Sequence, residues 1–325
     1  MIRKSWKLKA SLLLGATLLL AACGSDGNSG PGSDDEINVG ILQLMDHESL
    51  NAAREGFVDV LEDAGYVEGD NLTLDYQNAQ GDQANLQTMS ERLSGNNDLI
   101  LAIATPAAQS LANIEDEVPL LFTAVTDPVE AGLVDSLETP GANITGTTDA
   151  GPIEDQIKLL LSVVPDAENI GLIYNSSEPN SVIQADDAEA ILKDLGLNVV
   201  TRTVTSTNDV QQAMESLAQD VEGVYIPTDN TLASTMATVA EIAKAYQLPV
   251  VAASTEQVMA GGLATFGINY YELGRQTGEM ALKILDGDAD PAKLSVESST
   301  NLELVVNEEM AEALGIDPAS ISVPD

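Results

Sequence analysis

The chain has 325 residues, and 52 acidic residues against 13 basic ones leave a net charge of −39 at neutral pH. Binding to a phosphate backbone needs clustered lysine and arginine, so this charge excludes a nucleic-acid partner. One cysteine excludes an internal disulfide, and one histidine excludes a histidine cluster with zinc spacing. The acidic residues are scattered over predicted helix surfaces, which is typical of a solvated face.

The N-terminal residues 1–22 have the pattern of a lipoprotein signal peptide. A basic segment precedes an apolar run from Leu12 to Leu20, which is shorter than the ~20 residues that a membrane-spanning helix needs. Leu20-Ala21-Ala22-Cys23 then resembles a lipobox, in which Cys23 becomes the lipidated N-terminus. Residues 23–36 are rich in Gly, Ser and Asp and predict a flexible tether. We expect a lipid anchor on the extracytoplasmic face of the cell membrane; the alternative is a secreted protein with an incidental cysteine.

Strand-like apolar runs alternate with helix-period segments along the rest of the chain. The predicted strands cover residues 37–44, 72–76, 98–104, 119–125, 170–174, 197–204, 221–226 and 248–253. The predicted helices cover residues 51–64, 86–93, 153–164, 188–195, 210–217 and 232–243. This alternation predicts an α/β fold with parallel sheets and right-handed crossovers. Because the pattern restarts after Gly146, we expect two doubly wound lobes.

The loops that follow the strands of the first predicted lobe suit an anion. In open α/β sheets, ligands bind beyond the carboxyl ends of the strands. Thr105 is placed to cap a helix, and the small side chains of Ala107 and Ala108 would leave backbone amides uncovered for a ligand carboxylate. Asp127 lies in a similar cap-plus-proline pattern, where it either contacts a ligand or only caps its helix.

The corresponding loops of the second predicted lobe are rich in polar and acidic groups. The segment 175–181 carries short side chains that can donate and accept hydrogen bonds. Asp229, after the strand at 221–226, either neutralises a ligand ammonium or caps a helix. An anion site in one lobe and carboxylates in the other suit a zwitterion such as an amino acid.

Common catalytic and nucleotide-binding motifs are missing. The sequence has no G-x-S-x-G, Walker A or G-x-G-x-x-G pattern, so we predict no enzymatic activity, cofactor or metal. A hydrolase with paired carboxylates remains an alternative. The only tryptophan, Trp6, lies in the predicted signal peptide, which disfavours a sugar site built on stacking aromatic rings.

Several loops resemble those of the tryptophan/tyrosine-type substrate-binding lipoproteins of ABC transporters, from about Ile37 to Leu304. The matching stretches are Gln77-Asn78-Ala79-Gln80-Gly81-Asp82, Ala104-Thr105-Pro106-Ala107-Ala108-Gln109, Ala124-Val125-Thr126-Asp127-Pro128, Asn143-Ile144-Thr145-Gly146, Tyr174-Asn175-Ser176-Ser177-Glu178-Pro179-Asn180-Ser181, Pro227-Thr228-Asp229-Asn230-Thr231 and Tyr271-Glu272-Leu273-Gly274-Arg275-Gln276. The resemblance implies a type I periplasmic-binding fold with two Rossmann-like lobes and a three-crossover hinge. The implied N-terminal lobe is 37–147 plus 269–290, and the C-terminal lobe is 148–268 plus 291–325.

The resemblance also implies the roles of individual residues. It directs the ligand carboxylate to Thr105, Ala107 and Ala108, and the amino group to Asp229. The other residues that it places around the ligand are Gln43, His47, Asp127, Glu178, Asn180, Ser181 and Asn230. Around His47 the family often has Glu-His-Pro-Ala-Leu-Asp, whereas this chain has Asp46-His47-Glu48-Ser49-Leu50-Asn51. A buried structural His47 is therefore an equal alternative to a ligand contact.

The implied function is capture of an aromatic amino acid by closure of the lobes. A monomer anchored to the membrane by its lipid would deliver the ligand to an ABC permease with its ATPase. Two alternatives stay open at this point. One is the same fold with another solute, such as a branched amino acid or a nucleoside, and the other is a sensory lipoprotein without a transport role.

Overall fold

The computed structural model describes residues 36–323, so the predicted signal peptide, Cys23 and most of the tether lie outside the described residues. Twelve strands within this range form two six-stranded sheets. In chain order the strands are β1 (Ile37–Gln43), β2 (Leu72–Asn78), β3 (Leu99–Ile103), β4 (Leu120–Val125), β5 (Ile144–Thr148), β6 (Asn169–Asn175), β7 (Asn198–Val204), β8 (Gly223–Ile226), β9 (Val250–Ala252), β10 (Ala264–Ile268), β11 (Glu297–Ser298) and β12 (Leu302–Val306).

Helices follow most of the strands. In chain order they are α1 (Glu48–Asp63), α2 (Gln83–Leu93), α3 (Thr105–Ala112), α4 (Ile153–Val163), α5 (Pro179–Asp194), α6 (Val210–Leu217), α7 (Asn230–Ala233), α8 (Met236–Tyr246), α9 (Thr255–Ala260), α10 (Tyr270–Leu285) and α11 (Glu308–Ala313). A bilayer-spanning helix, which must be both long and apolar, is not found between residues 36 and 323.

Each sheet forms the centre of one lobe. The first has the order β11-β5-β4-β3-β1-β2, with parallel neighbours throughout. The second has the order β12-β10-β9-β8-β6-β7 and is parallel except for the antiparallel edge strand β12. β3 is fully buried, as its continuous apolar run predicts for a central parallel strand. The α/β prediction with two lobes is confirmed.

The chain passes between the lobes three times. It leaves the first sheet after β5, returns after β10 into α10, and leaves again between β11 and β12. The predicted third boundary, after residue 290, is wrong. β11 pairs with β5, and the Thr145 hydroxyl donates to the Leu294 carbonyl oxygen at 2.7 Å. These bonds hold the chain in the first lobe as far as Ser298.

The return of the chain through α10 places that helix against α1. A Cβ atom at Gly274 would lie 1.9 Å from the Ala53 carbonyl oxygen, and one at Gly56 would lie 2.1 Å from the Tyr271 carbonyl oxygen. Only glycine therefore allows the two helices to approach this closely. The contact fixes α1, whose N-terminus follows the His47 loop, and α10, whose first residue is Tyr270.

Candidate ligand-binding site

A cavity lies between the two lobes, where loops from the ends of the strands meet. The lining side chains are His47, Ser49, Leu50, Ala124 and Tyr270 of the first lobe, Asp149 at the crossover, and Asn180, Thr228, Asp229, Asn230, Ala233, Ser254 and Gln257 of the second. Its volume is about 20 Å³, which is room for roughly one water-sized group. Four of the predicted site residues, His47, Asn180, Asp229 and Asn230, come together here.

Polar contacts between the lobes hold the cavity closed. His47 Nε2 lies 3.2 Å from Asn230 Oδ1, and the hydroxyls of Ser49 and Ser254 are 3.4 Å apart. Gln184 Nε2 of the second lobe donates to the Thr126 hydroxyl of the first at 3.2 Å. All these hydrogen bonds join neutral groups and act only at short distance, so a small separation of the lobes would break them together.

Asp229 is buried at the cavity and caps α7. Its Oδ1 accepts from the Leu232 amide at 2.7 Å, and its Oδ2 accepts from the Asn175 amide at 2.6 Å. Burial, together with the negative charge of Glu178, raises the pKa of Asp229 to about 7. The helix-capping alternative is therefore realised, and Asp229 also lines the cavity.

Glu178 is the second buried carboxylate of this lobe. One of its oxygens accepts from the Thr231 amide at 3.1 Å and hydroxyl at 2.8 Å. The other accepts from the Asn230 amide at 3.1 Å and from its side chain at 2.6 Å. Among residues 36–323, no lysine or arginine forms an ion pair with Glu178 or Asp229. Buried acidic charge without a cationic partner favours a ligand that carries a positive group.

The ends of β3 and β4 have unusual backbone conformations. Ala104 has a φ of 84° and Ala124 a φ of 58°, which is the left-handed region that alanine rarely adopts. Such conformations cost about 1–3 kcal/mol each and cluster at functional sites. Ala124 lines the cavity, and Ala104 directly precedes α3 at the same edge of the sheet.

The predicted anion site in the first lobe differs from the structure. Ala104, not Thr105, occupies the cap position of α3, and the Thr105 hydroxyl is buried without a partner. The amides of Ala107 and Ala108 both donate to the Ala104 carbonyl oxygen, at 3.1 and 3.0 Å. They are therefore not free for a ligand carboxylate in this conformation. None of the three predicted residues lines the closed cavity.

Three further predicted residues, Gln43, Asp127 and Ser181, hold loops in place rather than line the cavity. Gln43 is buried and donates to the Met45 carbonyl and the Asn51 side chain at 2.8 and 2.7 Å. Asp127 accepts from the amides of the two residues after Pro128 at 3.0 and 2.9 Å, so it caps a turn. Ser181 donates to the Thr228 carbonyl at 3.2 Å.

Asp149 and Tyr270 were missed by the sequence reasoning. Asp149 accepts from the Tyr270 hydroxyl at 2.5 Å and from the Thr126 hydroxyl at 2.9 Å, and burial raises its pKa. Both residues lie where the chain crosses between the lobes. Asp149 directly follows β5, and that position could have indicated it. β5 itself was not predicted, because it ends in polar residues and lacks the apolar run by which the other strands were recognised.

A larger groove adjoins the cavity beyond Glu178. Its volume is about 370 Å³, within the range of small-molecule pockets. The first lobe contributes Leu44, Met45, Gln80, Gly81, Gln83 and Pro106, and the second contributes Asn175, Ser177, Glu178, Thr205, Ser206, Thr207 and Thr231. Glu178 is the only ionisable residue in this lining, so the groove is nearly neutral.

Two sheet-based lobes that close over a buried polar cavity define a two-lobe solute-binding protein. The chain matches the family model described as ABC transporter substrate binding protein over residues 38–322, and it belongs to this family. It therefore acts as an extracytoplasmic binding component of an ABC importer, in a family of solute-binding proteins rather than enzymes. It is 39% identical over 315 residues to the tyrosine-binding protein of Clostridioides difficile strain R20291, covering 95% of this chain and 91% of that protein.

Two solved structures at similar identity differ in how well they match. The ABC domain of Streptococcus pneumoniae in complex with L-Trp has a TM-score of 0.82 at 36% identity, covering 90% of this chain and 97% of that one. The ligand-free, open form of a substrate-binding protein with adhesive properties from Clostridium difficile has a TM-score of 0.67 at 42% identity, covering 86% and 95%. The less identical chain is the better structural match, which agrees with closed lobes in the present structure.

Proposed function

We propose that this protein captures an aromatic amino acid, tyrosine or tryptophan, and delivers it to an ABC permease and its ATPase. The observation that carries the proposal is the buried acidic charge at the interlobe cavity, which no basic side chain of the described residues balances. An α-ammonium group would supply the missing positive charge. The tyrosine-binding and L-Trp-bound relatives support an aromatic ligand.

The two spaces between the lobes suit the two ends of such a ligand. The small cavity, with Asp229, Asn180 and His47, would receive the ammonium group. The larger groove includes Leu44, Met45 and Pro106 and would receive the aromatic ring. The ligand carboxylate would then lie near Thr105, whose buried hydroxyl has no partner, once the lobes have opened and closed again.

Capture would proceed by a shift between open and closed lobes. The ligand binds one lobe first and then bridges to the other, which stabilises the closed form. The three crossovers, near residues 149–152, 269 and 299–301, would act as the hinge between the lobes. The closed monomer would then be the form that the permease recognises.

The membrane attachment of the protein would come from lipidation of Cys23. Residues 24–36 would space the binding lobes from the bilayer. Replacing Cys23 by alanine should release the protein from the membrane fraction, whereas a Ser25→Ala control should leave it bound. Retention of the Cys23→Ala protein in the membrane fraction would contradict the anchor.

A titration with free amino acids tests the ligand assignment. Because the described residues contain no tryptophan, the fluorescence of added L-Trp would report its own binding. L-Tyr and L-Phe would be followed by calorimetry, with L-Leu, adenosine and myo-inositol as controls. We expect saturable binding of L-Tyr or L-Trp and at least tenfold weaker binding of the controls. Preference for leucine or adenosine would keep the solute-binding role and refute the aromatic assignment.

A further inference from the structure

Two side chains that line the closed cavity carry a buried polar atom without a hydrogen-bond partner. These atoms are His47 Nδ1 and Asn180 Oδ1. Buried polar atoms are almost always paired in folded proteins, so an unpaired one calls for a functional explanation. In both side chains the other polar atom forms hydrogen bonds. Those hydrogen bonds determine whether the unpaired atom is a donor or an acceptor.

Glu178 determines the orientation of Asn230, and Asn230 determines the tautomer of His47. The Glu178 carboxylate only accepts hydrogen bonds, so the Asn230 NH2 group points towards it, at 2.6 Å. The Asn230 carbonyl oxygen then faces His47 Nε2 at 3.2 Å. Because that oxygen also only accepts, Nε2 must carry the proton. Burial lowers the pKa of His47 to about 4, so the ring is neutral and Nδ1 is a bare acceptor.

Asn180 is oriented in the same manner. Its NH2 group donates to the Thr228 carbonyl oxygen at 3.0 Å and to the Ser181 hydroxyl at 3.3 Å. Its Oδ1 is therefore left as a second bare acceptor. The carboxylate of Asp229 lines the same cavity. His47, Asn180 and Asp229 thus line a space that admits one water-sized group, and a primary ammonium has that size and three donors.

We propose that His47 is a specificity-determining residue, whose Nδ1 is kept bare by the Glu178–Asn230 relay and accepts a hydrogen bond from the primary ammonium of the ligand. The inference rests on the proposed function and deepens it. It assigns to His47 a share, beside the charge of Asp229, in the discrimination between a primary ammonium and a hydroxyl at the same position. A hydroxyl is similar in size but has a single hydrogen to donate, so it satisfies one acceptor and leaves the others unpaired.

The first test observes the imidazole directly. His47 is the only histidine in the sequence, so protein labelled with 15N-histidine and purified without a histidine tag gives one pair of ring signals. We expect a proton on Nε2 and none on Nδ1 at neutral pH. Saturating L-Tyr or L-Trp should move mainly the Nδ1 signal, in the direction of an accepted hydrogen bond. A proton on Nδ1, or an Nδ1 signal that saturating ligand leaves unchanged, would overturn the proposal.

A variant of Glu178 and a matched control test whether the Glu178–Asn230 relay sets the tautomer of His47. Glu178→Gln replaces one acceptor by a donor, so Asn230 loses its fixed orientation and the share of the Nε2–H tautomer should fall. Glu222→Gln alters an exposed carboxylate that accepts from the Asn169 amide at 2.7 Å at the opposite end of β8 from the cavity, and should leave the imidazole signals unchanged. Equal spectra for the Glu178→Gln and wild-type proteins would refute the relay.

The second test measures selectivity. L-Tyr and L-Trp are compared with their α-hydroxy analogues, 4-hydroxyphenyllactate and indole-3-lactate, on wild type and His47→Phe. The loss of a hydrogen bond to a charged donor corresponds to about a 10- to 100-fold loss of affinity. We expect that loss for the amino acids and less than about threefold for the hydroxy analogues.

The outcomes separate this inference from the proposed function. Equal weakening of amino and hydroxy ligands in His47→Phe would assign His47 a purely structural role and overturn the inference alone. Equal affinity of the wild type for both ligand classes would do the same. If no aromatic amino acid binds the wild type at all, the proposed function fails, and the inference fails with it.

Discussion

The two lobes contribute different chemistry to the cleft between them. The first lobe presents neutral side chains, such as His47 and Ser49, and a strained alanine at the end of β4. The second lobe presents Asp229 and Glu178, whose oxygens accept hydrogen bonds mainly from the first residues of α7 and from the last residue of β6. Charge recognition thus belongs to the second lobe, whereas the first supplies shape and uncharged acceptors.

The largest expected effect is at Asp229 in the second lobe. Asp229→Asn keeps the size of the side chain but removes the charge that would pair with the ligand ammonium. Loss of one partner from a buried, hydrogen-bonded charge pair costs about 2–5 kcal/mol of binding free energy. Asp127→Asn in the first lobe, which alters a cap on a turn, should cost under about 0.5 kcal/mol. Calorimetry with L-Tyr and L-Trp measures the affinity of both variants. Comparable losses would mean that charge recognition is not confined to the second lobe.

The next effect concerns the packing that positions the first lobe's contribution. Gly274→Ala would place a methyl group 1.9 Å from the Ala53 carbonyl oxygen, so α1 and α10 would have to separate. Overpacking of this kind costs about 1–3 kcal/mol in the free energy of unfolding. Gly151→Ala is the control, because its nearest neighbour would lie at an ordinary 3.5 Å. Urea unfolding measures both; equal stability of Gly274→Ala and wild type would show that the helices can part without cost.

The central strands of the sheets could be predicted from the sequence better than the strands near the sheet edges. Long apolar runs such as β3 predict central parallel strands, because those strands are buried on both faces. β5 and β11 escaped prediction because β5 is rich in threonine and glycine and β11 has only two residues. Their pairing places the third crossover after Ser298, which no local pattern near residue 290 could indicate.

The residues of the candidate site could likewise be predicted only in part. Asp229 and Asn180 could be identified because polar residues after strands meet at one edge of a sheet, whereas His47 came from the family resemblance. Asp149 and Tyr270 could not, since their contact joins residues 121 positions apart at a hinge. Ala107 and Ala108 were assigned free amides because the sequence places the helix cap at Thr105, whereas the cap lies one residue earlier and the Ala104 carbonyl oxygen accepts from both amides.

The pH dependence of binding reports on the second lobe, because the titrating group belongs to it. The pKa of Asp229 is raised to about 7, so below that value the free protein holds a proton that an ammonium ligand must displace. Affinity should therefore rise about tenfold, or 1.4 kcal/mol, per pH unit from pH 5 to 7 and then level off. His47 does not interfere, because its pKa is lowered to about 4.

Controls separate the contribution of Asp229 from that of Asp149, whose pKa burial also raises. In Asp229→Asn the slope between pH 5 and 7 should disappear; a slope that persists would assign the titration to Asp149. The stability of the free protein should change in the opposite sense. A carboxyl whose folded pKa lies above its unfolded value of ~3.9 stabilises the fold at acid pH, and this stabilisation is lost as the pH rises through about 7.

The smallest expected effect is at Thr126, where the two lobes touch. Its hydroxyl donates to Asp149 at 2.9 Å and accepts from Gln184 of the second lobe at 3.2 Å. Thr126→Val removes both bonds from the closed form at nearly constant volume, while open lobes would expose the same groups to water. We expect a loss of about 1 kcal/mol, or about fivefold in ligand affinity, and a larger radius of gyration of the free protein in X-ray scattering. Thr88→Val, on an exposed face of α2, should change neither quantity. If Thr126→Val bound ligand as tightly as wild type with an unchanged radius, the contacts between the lobes would contribute nothing to closure, and the carboxylates of the second lobe would have to hold the ligand alone.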